Sequence, residues 1–298
     1  MSLVINHNMM AMNAARNLTD SYGRLATSTR RLSSGLRVNT AADDAAGLAI
    51  RELMRADIST LRQGIRNAND AISMIQTADG ALQIIDEKLI RMKELAEQAA
   101  TGTYNSDQRL MIESEYQAMA SEITRIANAT DFNGIHLLNG SLSGVHNGSV
   151  LQQSGALKIH FGTGNDSAED YYYIEIGGAT ASMLGLGNAS ALGTEAGGYT
   201  ISTQSAAQAA LAAIDQAIIS KDKIRASLGA LQNRLENTIS NLSIQAENLQ
   251  SSESRISDVD VATEMTEFVR NQILTQSAVA MLSQANSLPQ MAMKLIGG

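Results

Sequence analysis

Apolar residues recur at helical spacing over most of this chain, and the longest ladders hold a seven-residue repeat. Leu61, Ala68, Ile75, Leu82, Leu89 and Ala96 stand seven apart, as do Leu228, Leu235, Leu242, Leu249 and Ile256. Such a repeat keeps one apolar seam on one side of a helix and turns it toward a partner helix. The first ladder predicts a helix from about Asp43 to Ala100, about 85 Å long at 1.5 Å per residue. Its companion positions are Ile58, Ile65 and Ile72 at first and Ile85, Met92 and Ala99 later, so the stripe drifts around the helix near Gly80, as expected where packing partners change. The second ladder predicts a helix from about Ser205, with Leu211, Ile214 and Ile218 ahead of it. Each leucine contributes about 1.5–3 kcal/mol if buried.

A shorter helix is expected from about Asp107 to Ala127, with Leu110, Ile112, Met119, Ile123 and Ile126 facing inward. Between Thr130 and Thr203 the pattern changes. Leu157, Ile159 and Phe161 alternate with polar residues, as do Tyr172, Ile174 and Ile176 after the turn-rich GTGNDSAED, so this stretch predicts a β-hairpin. Asn-Gly pairs at Asn133-Gly134, Asn139-Gly140 and Asn147-Gly148 mark turns.

The two ends differ from the rest. Val4, Ala11, Leu18, Leu25 and Leu32 form a seven-residue ladder with Ala15 and Tyr22 as companions, which Ser33-Ser34-Gly35 ends. At the other end Val261, Met265, Val269 and Ile273 form a row four apart, continued by Leu274, Ala278, Met281, Ala285 and Leu288 at spacings of four and three. No charged side chain occurs from Asn271 through Met293, yet Gln272, Gln276, Gln284, Asn286 and Gln290 recur there, which suits neither a solvated face nor a membrane span. The ends are natural partners for each other. Because apolar and amide residues lie off the main stripe as well, one neighbouring helix would not cover the C-terminal segment, and further copies of the same chain are expected to complete it. Ser257 with Asp260 three residues on reads as a capping box that restarts the helix there.

The expected fold is therefore mainly α: a long coiled-coil helix bundle built from both chain ends, with a small β-hairpin and loop region in the middle. The organisation read from the sequence is residues 1–43 and 258–298 as the two halves of an inner coiled coil, and 44–257 as an outer helical domain with the insert at about 130–203.

Composition narrows the function. Aromatic residues make up 3% of the 298 residues, Trp is absent, and Pro289 is the one proline, so little interrupts helix elsewhere. The net charge of −8 argues against a nucleic-acid partner. Residues 1–70 nevertheless carry nine Arg against six Asp or Glu, leaving −11 for the remainder. A solvated helix face explains this, as does an Arg-lined contact with the acidic part of a neighbouring copy. The absence of Cys excludes disulfides and thiolate metal sites, and suits both a cytosolic protein and one that passes unfolded through an export channel. No general secretory signal is visible at the N-terminus, so an extracellular destination would need a dedicated route. His7, His136, His146 and His160 show no ligand spacing, and no cofactor, metal or catalytic motif appears. The carboxylate pairs Asp43-Asp44 and Asp258/Asp260 fall at predicted helix starts, where they cap amides.

RLSSGLRVNTAADDAAGLAIRELMR at Arg31 to Arg55 closely resembles the N-terminal signature of bacterial flagellin. INHNMMAMNA, NATDFNGIHLLNG, LGALQNRLENTISNL, SRISDVDVATEM and QANSLPQ resemble further flagellin segments, in the right order and separation. The resemblance implies a structural, non-enzymatic subunit that is exported through the flagellar type III apparatus and polymerises into the extracellular filament used for motility. It implies self-association as the main partnership, with an export chaperone on the C-terminal segment, the export apparatus, the filament cap and junction proteins as further partners, and neither nucleic acid nor membrane insertion. Subunit and coiled-coil contacts are expected at Val4, Ala11, Leu18, Leu25, Leu32, Met265, Val269, Ile273, Leu274, Ala278, Met281 and Leu288. By matched position, the surface read by the flagellin-sensing toll-like receptor is Arg91, Leu95, Gln98 and Glu115. Outside this class, a hook-filament junction protein or a secreted monomeric coiled-coil interaction module would share the terminal pattern, whereas an enzyme would depend on Asp43 or Asp260.

Overall fold

The computed structural model describes residues 8–147, 155–167, 169–187 and 200–296, without the side chains of residues 288, 290 and 292–296. Five helices dominate: α1 Met9–Ser34, α2 Ala45–Ala100, α3 Ser106–Ala129, α4 Gln204–Ser257 and α5 Val261–Ile296. Strands β1 Asp131–Phe132 and β2 Ile135–His136 form one short hairpin, and β3 Leu157–His160 and β4 Tyr171–Ile174 form another. The chain divides into two compact units, one of residues 59–246 and one of residues 1–58 with 247–298.

The 59–246 unit is built on the apolar ladders. Ala68, Ile75, Leu82, Leu89 and Ala96 are buried, and so are Leu228 and Leu235 of α4. The drift of the α2 stripe is visible in the burial: Ile65 and Ile72 are half-buried, whereas Ile85, Met92 and Ala99 are fully enclosed. Helix α3 starts at a capping box, in which the Asn105 side chain accepts from the Gln108 amide while Gln108 reaches back to the Asn105 amide. Leu110 faces outward, contrary to the expected stripe, whereas Ile112, Met119 and Ile126 pack half-buried against the core and Tyr116, Ala120, Ile123 and Ala127 are fully buried. A leucine near the exposed start of a helix has little to pack against, and small alanines let α3 approach closely.

The middle segment is part of this core. Antiparallel β3 and β4 pair Leu157 with Ile174 and Ile159 with Tyr172, the register that the alternation predicts. The Asn133-Gly134 turn joins β1 to β2, and both of its residues have positive φ, at 51° and 79°. The β3–β4 hairpin is fixed on α2 at Gly64, where a Cβ would lie 2.0 Å from the Phe161 carbonyl oxygen, so only glycine admits the strand backbone there. Three residues on, Asn67 Nδ2 donates to the His160 carbonyl at 2.8 Å.

Polar locks bind α2 to α4. Lys221 is 2% exposed, and its ammonium lies 2.5 Å from Asp86 and 2.8 Å from Asp222. Arg225 meets Asp79 at 2.7 Å and Lys93 meets Asp215 at 2.6 Å.

Candidate functional site: the paired terminal helices

In the unit formed by both chain ends, α1 packs antiparallel on α5. Gly35, with φ at 72°, ends α1 by donating its amide to the Arg31 carbonyl. The chain then runs beside the end of α4. Leu36 bridges Asp258, Arg37 N donates to the Ser257 carbonyl at 2.7 Å, and Val259 N donates to the Gly35 carbonyl at 3.0 Å. Further along, Arg31 Nη1 stands 3.5 Å from Glu264. At the far end the Asn8 carboxamide does two jobs: Oδ1 accepts the Ala11 amide and caps α1, while Nδ2 donates to the Ala285 carbonyl at 2.8 Å. That carbonyl is the one Pro289 leaves without its i−4 partner, because proline has no N–H. The side-chain cap of one helix thus mends the break in the other.

Acidic residues shape the turns of this unit. Asp43 Oδ2 accepts from the amides of Asn39 and Thr40 and from the Thr40 hydroxyl, and Oδ1 meets Arg30 at 3.1 Å. The Thr40 bonds hold its carboxyl below the ordinary range. Asp44 accepts the Gly47 amide. At the start of α5 the cap is Asp260, not Ser257. Asp260 accepts from Ala262 N and the Thr263 hydroxyl, and the Thr263 bond lowers its carboxyl, whereas Ser257 closes α4 and its hydroxyl is buried without a partner. Asp43 and Asp260 thus hold backbone amides and threonine hydroxyls at the turns that precede α2 and α5. Arg51 is buried, with Nη1 donating to the Val38 carbonyl at 2.7 Å, and it ties the signature segment together.

The seam itself departs from expectation. On α1 the ladder residues Ala11, Leu18, Leu25 and Leu32 are half-buried, and their companions are Ala14, Ser21 and Ser28, three residues on; Ala15 and Tyr22 face outward. On α5 the inward face is Glu264, Phe268, Asn271, Thr275, Ala278, Leu282 and Ala285. The row read from the sequence points the other way: Val261, Met265, Val269 and Ile273 are 44–57% exposed, and Leu274 and Met281 are exposed too. Of the described members of that row, Ala278 and Ala285 lie on the inward side. Val4 and the Leu288 side chain fall outside the described residues. The inward face was hard to find because its polar members Glu264, Asn271 and Thr275 interrupt any apolar count. A helix that shows apolar side chains to water on its outer face needs a further partner there. Among the described residues, no helix is long and apolar enough to cross a membrane.

A family model for the bacterial flagellin N-terminal helical region matches residues 5–143, and one for the C-terminal helical region matches residues 211–296. The chain belongs to the bacterial flagellin family. It is 40% identical over 294 residues to flagellin FlaB1 of Treponema pallidum, covering 99% of this chain and all of that one. It is 42% identical over 308 residues to a flagellin of Bacillus subtilis, covering 98% of this chain and 99% of the other. A solved Vibrio parahaemolyticus chain, assigned as a flagellar hook-associated protein, shares the fold at a TM-score of 0.55 and 16% identity, over 72% of this chain and 100% of that one. In this flagellin-family chain, Arg91 is bonded to Glu115 at 2.7 Å and to Glu94 at 2.9 Å, and Gln98 donates to the Tyr104 hydroxyl. Those groups share an exposed surface. Leu95 does not reach it and is buried in the core.

Proposed function

We propose that the chain is a structural subunit, without catalysis of its own, that polymerises into the extracellular filament of the bacterial flagellum. The observation that carries this reading is the outward apolar face of α5, from Val261 to Met281, which α1 leaves uncovered. Burying it in a homopolymer would recover about 25 cal/mol for each Å² removed from water. Residues 1–43 and 258–298 then form the inner coiled coil, with Met265, Val269, Ile273, Leu274 and Met281 as contacts between copies. Export through the flagellar apparatus, with a chaperone covering the uncharged C-terminal segment until assembly, belongs to the same reading, as do addition under the cap and attachment through junction proteins. A toll-like receptor contact would rest on Arg91, Gln98 and Glu115, with Leu95 acting from beneath as packing.

Removing Asn271 to Gly298 tests this reading. The shortened chain should keep the helical signal of the 59–246 unit and stay monomeric, while the parent chain forms sedimentable filaments visible by electron microscopy. Filaments from the shortened chain would refute it.

A further inference from the structure

The chain has no cysteine, so its sulfur chemistry is confined to methionine. In the 59–246 unit Met74 and Met92 are enclosed in the core, whereas Met111 on α3 and Met183 in the stretch after β4 are 73% and 54% exposed. Although a peroxide can reach Met183 from water, its thioether is packed against backbone. Gly140 and Gly178 cross so closely that a Cβ on Gly178 would lie 3.0 Å from Gly140 Cα and 2.0 Å from Met183 Sδ. A Cβ on Gly140, whose φ is 87°, would lie 2.2 Å from Met183 Cε. The thioether thus fills the space that two absent side chains leave. Beside the crossing, the Ala179 amide donates to the Leu138 carbonyl at 2.8 Å. The Met183 amide donates to Thr180 Oγ1 at 3.3 Å and the Leu186 amide to the Ala181 carbonyl at 2.8 Å, in a turn that sinks Leu184 and Leu186 into the core.

We propose that Met183 is a reversible oxidation site: as the thioether it pins residues 177–187 onto the turn around Gly140, and as the sulfoxide it releases them. Exposure makes the sulfur reactive, and its packing makes the reaction consequential. A sulfur lone pair attacks one oxygen of hydrogen peroxide, the O–O bond breaks, and the departing hydroxide takes a proton to leave as water. The sulfur is oxidised by two electrons and the peroxide is reduced. The product is bulkier, polar and chiral, so it gives up the close apolar contact that a thioether makes with the two glycine backbones. A dithiol reductant reverses the step: the oxygen departs as water, the dithiol closes to a disulfide, and the thioether returns. The device lies within one chain and does not depend on the filament reading.

The test uses the full-length chain at high dilution, treated with hydrogen peroxide and followed by peptide mass and hydrogen exchange. Met111 and Met183 should each gain one oxygen atom while Met74 and Met92 gain none. Exchange at the Ala179 and Leu186 amides should then become about tenfold faster, the fold-change given by losing one or two methylene-sized contacts. Methionine sulfoxide reductases with dithiothreitol should restore the slow rate. Met183→Leu keeps an apolar side chain that peroxide cannot oxidise, so its exchange should stay slow through the treatment, whereas Met111→Leu should respond as the parent does. Met183→Gln places a polar group on the glycines and should exchange fast without any peroxide. Three results would each overturn the proposal: Met183 left unoxidised while Met111 reacts, a fully oxidised Met183 with unchanged exchange, or an equal peroxide response in Met183→Leu.

Discussion

The two units use the same kind of helix and place its apolar face in opposite ways. In residues 59–246 the seven-residue ladders of α2 and α4 are turned inward, and the charged groups at the seam are paired, as with Lys221 against Asp86 and Asp222. In the terminal unit α5 turns Glu264, Asn271 and Thr275 inward and leaves Val261, Met265, Val269 and Ile273 in water. A seam of that kind contributes little hydrophobic stabilisation, and polar residues at core positions fix register at a cost in stability. The difference predicts that the 59–246 unit is stable by itself, whereas the terminal unit gains much of its stability only when its outer apolar face is covered.

The largest expected effect separates the two directly. Leu89→Ala removes a fully enclosed side chain from the 59–246 core and should lower stability in denaturant by about 2–5 kcal/mol. Met265→Ala takes a comparable volume from an exposed site and should stay within about 0.5 kcal/mol in the dilute chain, yet it should raise the concentration needed for polymer. Equal losses for both variants in dilute solution would break the comparison.

Lys221 sharpens it from the polar side. Lys221→Ala leaves Asp86 without its partner in the α2–α4 seam and opens a small void, for an expected loss of about 1–3 kcal/mol. Lys221→Met keeps the volume but still leaves Asp86 and Asp222 without their cation, so it should recover only the packing part of that loss and stay below the parent, because removing one member of a buried ion pair strands the other. Chemical melts of the two variants distinguish a lock that acts by charge from one that acts by packing.

What could be read from the sequence follows the same division. Where the apolar repeat is the seam, as at Leu61 to Ala96, spacing alone places the helix and its buried face. The β3–β4 register was equally legible, because Leu157, Ile159, Tyr172 and Ile174 alternate with period two. On α5 the rule misleads, since periodicity marks the most apolar face and the in-chain partner takes the other one. Nothing local identifies Asn271 as inward. The flagellin signature at Arg31 to Arg55 is unmistakable as a string, but its work is tertiary: Arg51 reaching the Val38 carbonyl, and Asp43 gathering the amides of Asn39 and Thr40. Gly64 carries no local signal either, since its need arises from the Phe161 backbone 97 positions away.

The Asn8 and Pro289 pairing gives a smaller effect that is confined to the terminal unit. Asn8→Ala removes the α1 cap and leaves the Ala285 carbonyl unbonded, costing about 1–2 kcal/mol of local stability. Pro289→Ala restores an N–H to that carbonyl. In the double variant the carbonyl has its helical partner and only the lost cap remains, so the two changes should couple by about 0.5–1 kcal/mol. Hydrogen exchange at the amides of α1 and α5 reads this out. Strictly additive effects would show that Asn8 serves α1 alone.

Acid should produce the mildest effect, and again only in the terminal unit. Asp43 and Asp260 titrate below the ordinary Asp value of 3.8, held there chiefly by hydrogen bonds from Thr40 and Thr263. A carboxyl whose folded pKa is depressed contributes stability above its unfolded value and loses it as pH falls through the folded one. The turn before α2 and the first turn of α5 should therefore loosen below about pH 4, where protonation removes the acceptor that each cap requires. Asp260 is exposed and Asp43 half-buried in its turn, so the change is a local fraying that exchange rates at Thr40, Ala262 and Thr263 should report. In Asp43→Asn and Asp260→Asn the acid step at these turns should disappear and leave faster exchange at every pH, since an amide keeps one acceptor oxygen but neither carries the charge nor titrates. An unchanged acid step in both variants would assign the acid response to other carboxylates.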